Sequence, residues 1–168
     1  MTRQTVRIIK SGKLFEPGAE NIIAERIAEF VSEATALLET NVKSLTPVGV
    51  YGSQGGLLGS ISGEVQRGTS ITRGIVGSPS AYADVIESGR RPGAAMPPQG
   101  SLVRWIEVIL GADENYAKKI EFVVRRKIAQ KGFPGAFMFE QGFEKSIPAI
   151  ENMAEHLGMK IAFDLGGE

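Results

Sequence analysis

The stretch from Tyr82 to Pro98, YADVIESGRRPGAAMPP, limits the fold more than any other part of the chain. Pro92, Pro97 and Pro98 fix their own φ and donate no backbone hydrogen bond, so no helix or central strand runs through it. The chain must therefore be read as two halves joined here. The stretch reads as a short amphipathic segment, a sharp turn at Ser88 and Gly89, and a basic pair, Arg90 and Arg91, on a proline-stiffened backbone. A Pro- and Gly-rich arm over about residues 88–100 is expected to project from the body and meet a partner. The plainer alternative is an ordinary connecting loop.

Ahead of the arm the pattern is one long helix followed by sheet. From Asn21 to Asn41 the apolar positions Ile23, Ile27, Phe30, Ala34, Leu37 and Leu38 recur every three or four residues. That period predicts an amphipathic helix with one face on a core, stopping near Asn41, Thr46 and Pro47. Thr5 to Lys10 alternates around Val6 and Ile8 as a short strand does. The glycine-rich loop, about residues 49–59, is too rich in breakers for regular structure. Ile61 and Val65 then alternate with polar residues as in a half-buried strand, and Ser70 to Gly77 carries Ile71, Ile75 and Val76. With Arg67 and Gly68 between them, the two predict an antiparallel hairpin. Ala81 to Glu87 is a third strand or a short helical turn.

Behind the arm the period is helical. Leu102, Trp105, Ile106, Ile109 and Leu110 share a stripe, with Ser101 as candidate N-cap and Gly111 as stop. Asp113 to Lys131 predicts a second helix with Tyr116, Ile120, Val123, Val124 and Ile128 inward and Gly132 beyond its end. A third pattern joins Phe139, Phe143, Ile147, Ile150, Ala154 and Leu157. Pro148 inside it demands a kink, or a restart capped by Ser146. Phe139 and Phe143 read as core. Met159, Ile161, Phe163 and Leu165 alternate as a closing strand or a frayed tail. The expected class is α+β: a small antiparallel sheet packed against a long N-terminal helix, with further C-terminal helices, in one domain over residues 1–168.

Composition removes several functions. With 19 Lys plus Arg against 19 Asp plus Glu, the chain lacks the basic excess of a dedicated nucleic-acid binder, so any DNA contact must come from a local patch. It has no cysteine, which excludes disulfides, thiolate metal sites and a cysteine nucleophile. No apolar run is long enough to span a bilayer, and MTRQTVRIIK lacks a signal-peptide core, so folding in a cytoplasm is expected. GSQGGLLGS has no lysine at phosphate-loop spacing, and the centre of GSISG is Ile61 rather than a serine. His156 is the sole histidine, which argues against a transition-metal site. No catalytic, metal or cofactor residues are assigned. Arg125, Arg126 and Lys127 suit a helix C-terminus. Arg90 and Arg91 have no such structural reason and suit pairing with carboxylate or phosphate. The balanced net charge favours an acidic protein neighbour for them.

The order of TPVGVYGSQGGLLGSIS, YADVIESGRRPGAAMPP, SLVRWI and RRKIAQKGFPGAFMFEQGFE resembles the bacteriophage tail-component family of neck and tail-completion proteins. The resemblance covers about Glu20 to Met153. GVYGSQGGLLGS is longer than the usual connection, and nothing after Gly158 has a counterpart. The resemblance implies a structural virion protein without enzymatic activity or cofactor, assembled in the host cytoplasm as a homo-oligomeric ring at the neck or tail. Its implied partners are head connector or head-closure proteins, tail tube or terminator proteins, and DNA in the channel through a non-specific contact. The expected interface residues are Arg90, Arg91, Pro92, Met96, Pro97 and Pro98 on the arm, with Tyr51, Leu57 and Leu58 on the glycine loop. A tail terminator ring is the nearest alternative. Readings of another class are a small hydrolase using Asp84, Glu87 and Ser53, and a DNA-binding protein using Arg90, Arg91 and the basic helix.

Overall fold

A computed structural model describes residues 12–49 and 56–166. The expected strand at Thr5–Lys10, Tyr51 and Ser53 lie outside the described residues. The architecture is the α+β arrangement expected: a long first helix, a small antiparallel hairpin against it, and helices behind.

Helix α1, Ala19–Leu45, extends the predicted helix by about one turn at its C-terminal end. Its C-terminal turn is closed by Thr46, whose hydroxyl donates to the Val42 carbonyl at 2.8 Å. After α2, the helical turn Gly56–Ser60, strands β1 (Ser62–Arg67) and β2 (Thr72–Gly77) form the hairpin, in register from Ser62 opposite Gly77 to Arg67 opposite Thr72. That register puts Gly63, Val65, Gly74 and Val76 on the face toward α1, so Ile75 faces out; it and Ile71, just before β2, are exposed. Glycine is required on the inner face. A Cβ on Gly74 would overlap the Thr35 hydroxyl, and one on Gly63 would come within 2.7 Å of Thr35 Cγ2. Thr35 meanwhile donates its hydroxyl to the Val31 carbonyl at 2.6 Å, so its polar atom is satisfied at the contact.

The second partner of α1 is α6, Met138–Asp164, one helix of 27 residues. It runs through Pro148 without a break and takes in the stretch expected to be a strand or frayed tail. Met138, Gly142 and Ser146 form the buried face, and a Cβ on Gly142 would lie 2.7 Å from Val42 Cγ2. Ser146 is therefore no cap: it accepts from Asn41 Nδ2 at 2.8 Å and donates to the Gly142 carbonyl at 2.7 Å. The inward face lies one residue away from the one read from the aromatic pattern. Phe139 borders the core as expected, whereas Phe143 is 55% exposed.

The core is Val42, Leu57, Ile61, Ala83 and Met138, closed by Leu38, Leu45, Val76, Ile86 and Phe139. The described end of the glycine-rich loop thus forms the helical turn α2 and contributes to the core, where no regular structure was expected. Beyond the hairpin, α3 (Ala83–Ser88) is the helical turn of the two alternatives, and it leads into β3, Gly89–Arg90. Helices α4 (Val103–Leu110) and α5 (Glu114–Lys131) form a helical hairpin, followed by β4, Phe133–Pro134. Gly111 and Gly132 end the two helices, and Asp113 caps α5 by accepting from the Tyr116 N–H at 3.0 Å.

Candidate functional site

The chain enters and leaves the helical hairpin through a two-residue ladder, with Gly89 opposite Pro134 and Arg90 opposite Phe133. Backbone lies directly on backbone there. Gly89 and Gly132 adopt φ of 74° and 64°, a region that suits residues without a Cβ, and a Cβ on either would collide with main-chain atoms across the joint. Gly135 is held as closely, against the Glu87 carbonyl. Glu87 also reaches the start of α6, where Oε2 accepts from the Phe139 N–H at 3.0 Å and Oε1 from the Glu140 N–H at 3.1 Å. A carboxylate at the positive end of a helix satisfies donors that the helix leaves free. This structural task accounts for Glu87, one of the residues of the hydrolase alternative.

The arm does not project. The Gly93 N–H donates to the Ala129 carbonyl at 2.7 Å, and Arg125 Nε donates to the Pro97 carbonyl at 2.7 Å. Arg90 turns inward on its own loop and donates from Nη2 to the Ala95 carbonyl. The arm is therefore a strap laid along α5, and Arg90 and Arg125 fasten it. Of the expected contact residues, Arg91, Pro92, Met96 and Pro98 remain exposed, while Pro97 and Leu58 are half-buried. Leu57, also expected at the interface, is instead buried in the core, packed with Val42, Ile61, Ala83 and Met138. The prolines suggested projection because the bonds that hold the strap come from residues about thirty positions away.

The outward surface lies instead on the helical hairpin. Only Ile106, Ala117 and Glu121 are fully buried in it. Glu121 accepts from the Leu102 N–H at 3.2 Å, which closes the start of α4 in place of the expected Ser101 cap. With Ala117 and Glu121 at the centre of the inner face, α5 is rotated from the expected orientation, leaving Tyr116 54% and Val123 63% exposed. Tyr116, Lys119, Val123, Arg126 and Gln130 fall at steps of three and four and make one exposed stripe of two apolar or aromatic residues, two basic ones and a glutamine. On α4, Trp105, Val108 and Ile109 are also exposed.

At the other end of the molecule, α1 and α6 meet at an ion pair, Arg26 Nε to Asp164 Oδ2 at 2.6 Å, with Glu29 Oε2 on Arg26 Nη1 at 2.8 Å. These carboxylates hold the Arg26 guanidinium above its ordinary pKa. Beside the pair is a groove of about 350 Å³ lined by Arg26, Met159, Lys160, Phe163 and Asp164. Phe163 is 77% exposed.

Among the described residues no cluster of His, Asp or Glu is placed to hold a metal ion, and no helix is long and apolar enough to cross a membrane. His156 lies within α6, where Nδ1 is 2.7 Å from the Asn152 carbonyl. No protein-family model matches the chain, and neither the curated proteins nor the solved structures contain a match.

Proposed function

We propose that the chain is a structural protein of a tailed-phage virion, a neck or tail-completion component whose copies form a ring joining head to tail. The observation that carries this reading is the ordered set of stretches, and the described part of each includes a joint of the fold. Thr46 and Pro47 end α1, and ESGRRPG enters the strap. SLVRWI starts α4, and KGFPG closes the ladder before α6. An outward stripe of aromatic, aliphatic and basic residues on the helical hairpin adds support, because such mixtures suit protein partners. The proposed partners are a second copy of the chain, head connector or head-closure proteins on one side, and tail tube or terminator proteins on the other. The proposed role is assembly, with no reaction and no cofactor, in the virion after folding in the host cytoplasm.

The test is depletion of the protein during phage growth, with particles viewed by electron microscopy and a tagged copy located on them. Filled heads and finished tails that stay apart, with the tag at the neck, are the expected result. Tails of uncontrolled length would assign the terminator role instead. Normal joined particles would overturn the proposal.

A further inference from the structure

The net charge of zero conceals a separation. From Gly89 to Pro134, the strap, helical hairpin and ladder carry nine basic and four acidic residues, an excess of five positive charges. The paired helices α1 and α6 carry ten acidic and four basic residues, an excess of six negative charges. Each charged surface includes apolar side chains. On the basic surface these are Trp105, Val108, Ile109, Tyr116, Phe122 and Val123, and on the acidic one they are Met159 and Phe163 in the groove, with Glu155 one turn before Met159.

We propose that the basic helical hairpin of one copy docks on the acidic α1–α6 pair of the next, with an aromatic side chain seated in the groove between Arg26 and Phe163. Copies then add head to tail. This contact names the self-partner of the proposed ring and rests on that reading. A closed ring is built from heterologous contacts and needs two different, complementary patches on each protomer. Over the whole of each element the two patches complement each other in charge and share apolar character; in the groove itself Arg26 is paired with Asp164 and Glu29, with Lys160 beside it. Like charges oppose docking of two basic hairpins or two acidic helix pairs, which disfavours the isologous alternatives. Area points the same way. Six side chains of this kind, each about half exposed, offer on the order of 500 Å² of apolar surface, most of the ~800 Å² per partner of a stable interface once a polar rim is added.

The test uses the full-length chain and two charge reversals at exposed positions, Lys119→Glu with Arg126→Glu on the hairpin and Glu25→Lys with Glu155→Lys on the helix pair. Circular dichroism checks that each variant is folded, and light scattering gives the solution mass. The wild type is expected to gain mass with concentration and to lose it as salt rises from about 0.05 M to about 0.5 M, across which screening shortens the reach of the charges. Each reversal alone should weaken association at least about tenfold, and an equimolar mixture of the two should restore it, since each variant then presents the surface that the other lacks. A wild type that stays monomeric at every concentration overturns the proposal. So does a helix-pair reversal that associates normally, because hairpin-to-hairpin contact would then suffice. Salt-sensitive binding of duplex DNA to the hairpin, lost in the hairpin reversal while the protein stays monomeric, would assign that surface to nucleic acid instead. Self-assembly without a joining defect on depletion would overturn the phage role and leave this contact standing.

Discussion

Several single residues in this protein sit where two elements meet, and their substitutions should be costly for that reason. Gly74 is the sharpest case, because a methyl group there must displace Thr35 or the strand. Gly74→Ala should cost about 1–3 kcal/mol, as overpacking does, and Thr35→Ala in the same chain should recover part of it. Thermal unfolding of the single and double variants checks both. Glu87→Ala removes the carboxylate that caps α6 and should cost about 1–2 kcal/mol, with Glu87→Gln losing less, as measured by denaturant unfolding. Glu39 is a pH-dependent case. Lys43 Nζ at 2.5 Å, and then the Gly63 N–H at 2.7 Å, hold its carboxyl below the ordinary carboxylate range. Its folded pKa is depressed, so its contribution is complete above the ordinary value near 4.5 and fades as pH falls through the lower folded value. Glu39→Gln should therefore flatten the acid limb of a stability–pH curve and change little near neutrality relative to its own plateau.

The elements differ in how plainly the sequence announces them. Helix α1 was legible because its apolar period of about 3.6 runs from Ile23 to Leu38, and the hairpin because Ile61 and Val65 stand among polar residues ahead of the turn at Arg67 and Gly68. The expected helix faces on α5 and α6 were off by one position, and on α1 the buried centres are Ala28, Thr35 and Val42, whereas Ile27, expected inward, is exposed. Aromatic and branched residues marked a stripe, but the packed centres are the small residues Ala117, Gly142 and Ser146, which let backbones approach. Leu57 was hidden by the glycines around it. The strap was illegible as a strap, since the acceptor on Ala129 and the donor on Arg125 are nonlocal. On the binding side, Arg91 and Met96 keep the exposure expected of them, but the broad outward surface lies on Tyr116, Val123 and Trp105, which the sequence offered as core. Pro148 does not interrupt α6. A proline inside α6 removes one helix bond and crowds the preceding turn, so Pro148→Ala should raise stability, by on the order of 2 kcal/mol, visible as a higher unfolding midpoint.

For the whole molecule, the two clusters of buried residues are unequal. Val42, Leu57, Ile61, Ala83 and Met138 anchor the body, whereas Ile106 and Ala117 are the fully buried apolar residues of the helical hairpin. Amide hydrogen exchange should accordingly be slower in α1 and α6 than in α4 and α5, and uniform protection across all four would contradict this ranking. The ladder at Arg90 and Phe133 has a further consequence. Because the chain leaves the body and returns to it at directly opposed residues, everything from residue 91 to 132 is topologically a parenthesis: it opens and closes at one point. Such an insertion can be lengthened, exchanged or excised without rerouting the remainder. A chain in which residues 91–132 are replaced by an Asn-Gly turn should keep the body's helices and unfold cooperatively. Changes confined to residues 91–132 can thus reshape the outer surface of the helical hairpin while leaving the core of the body in place.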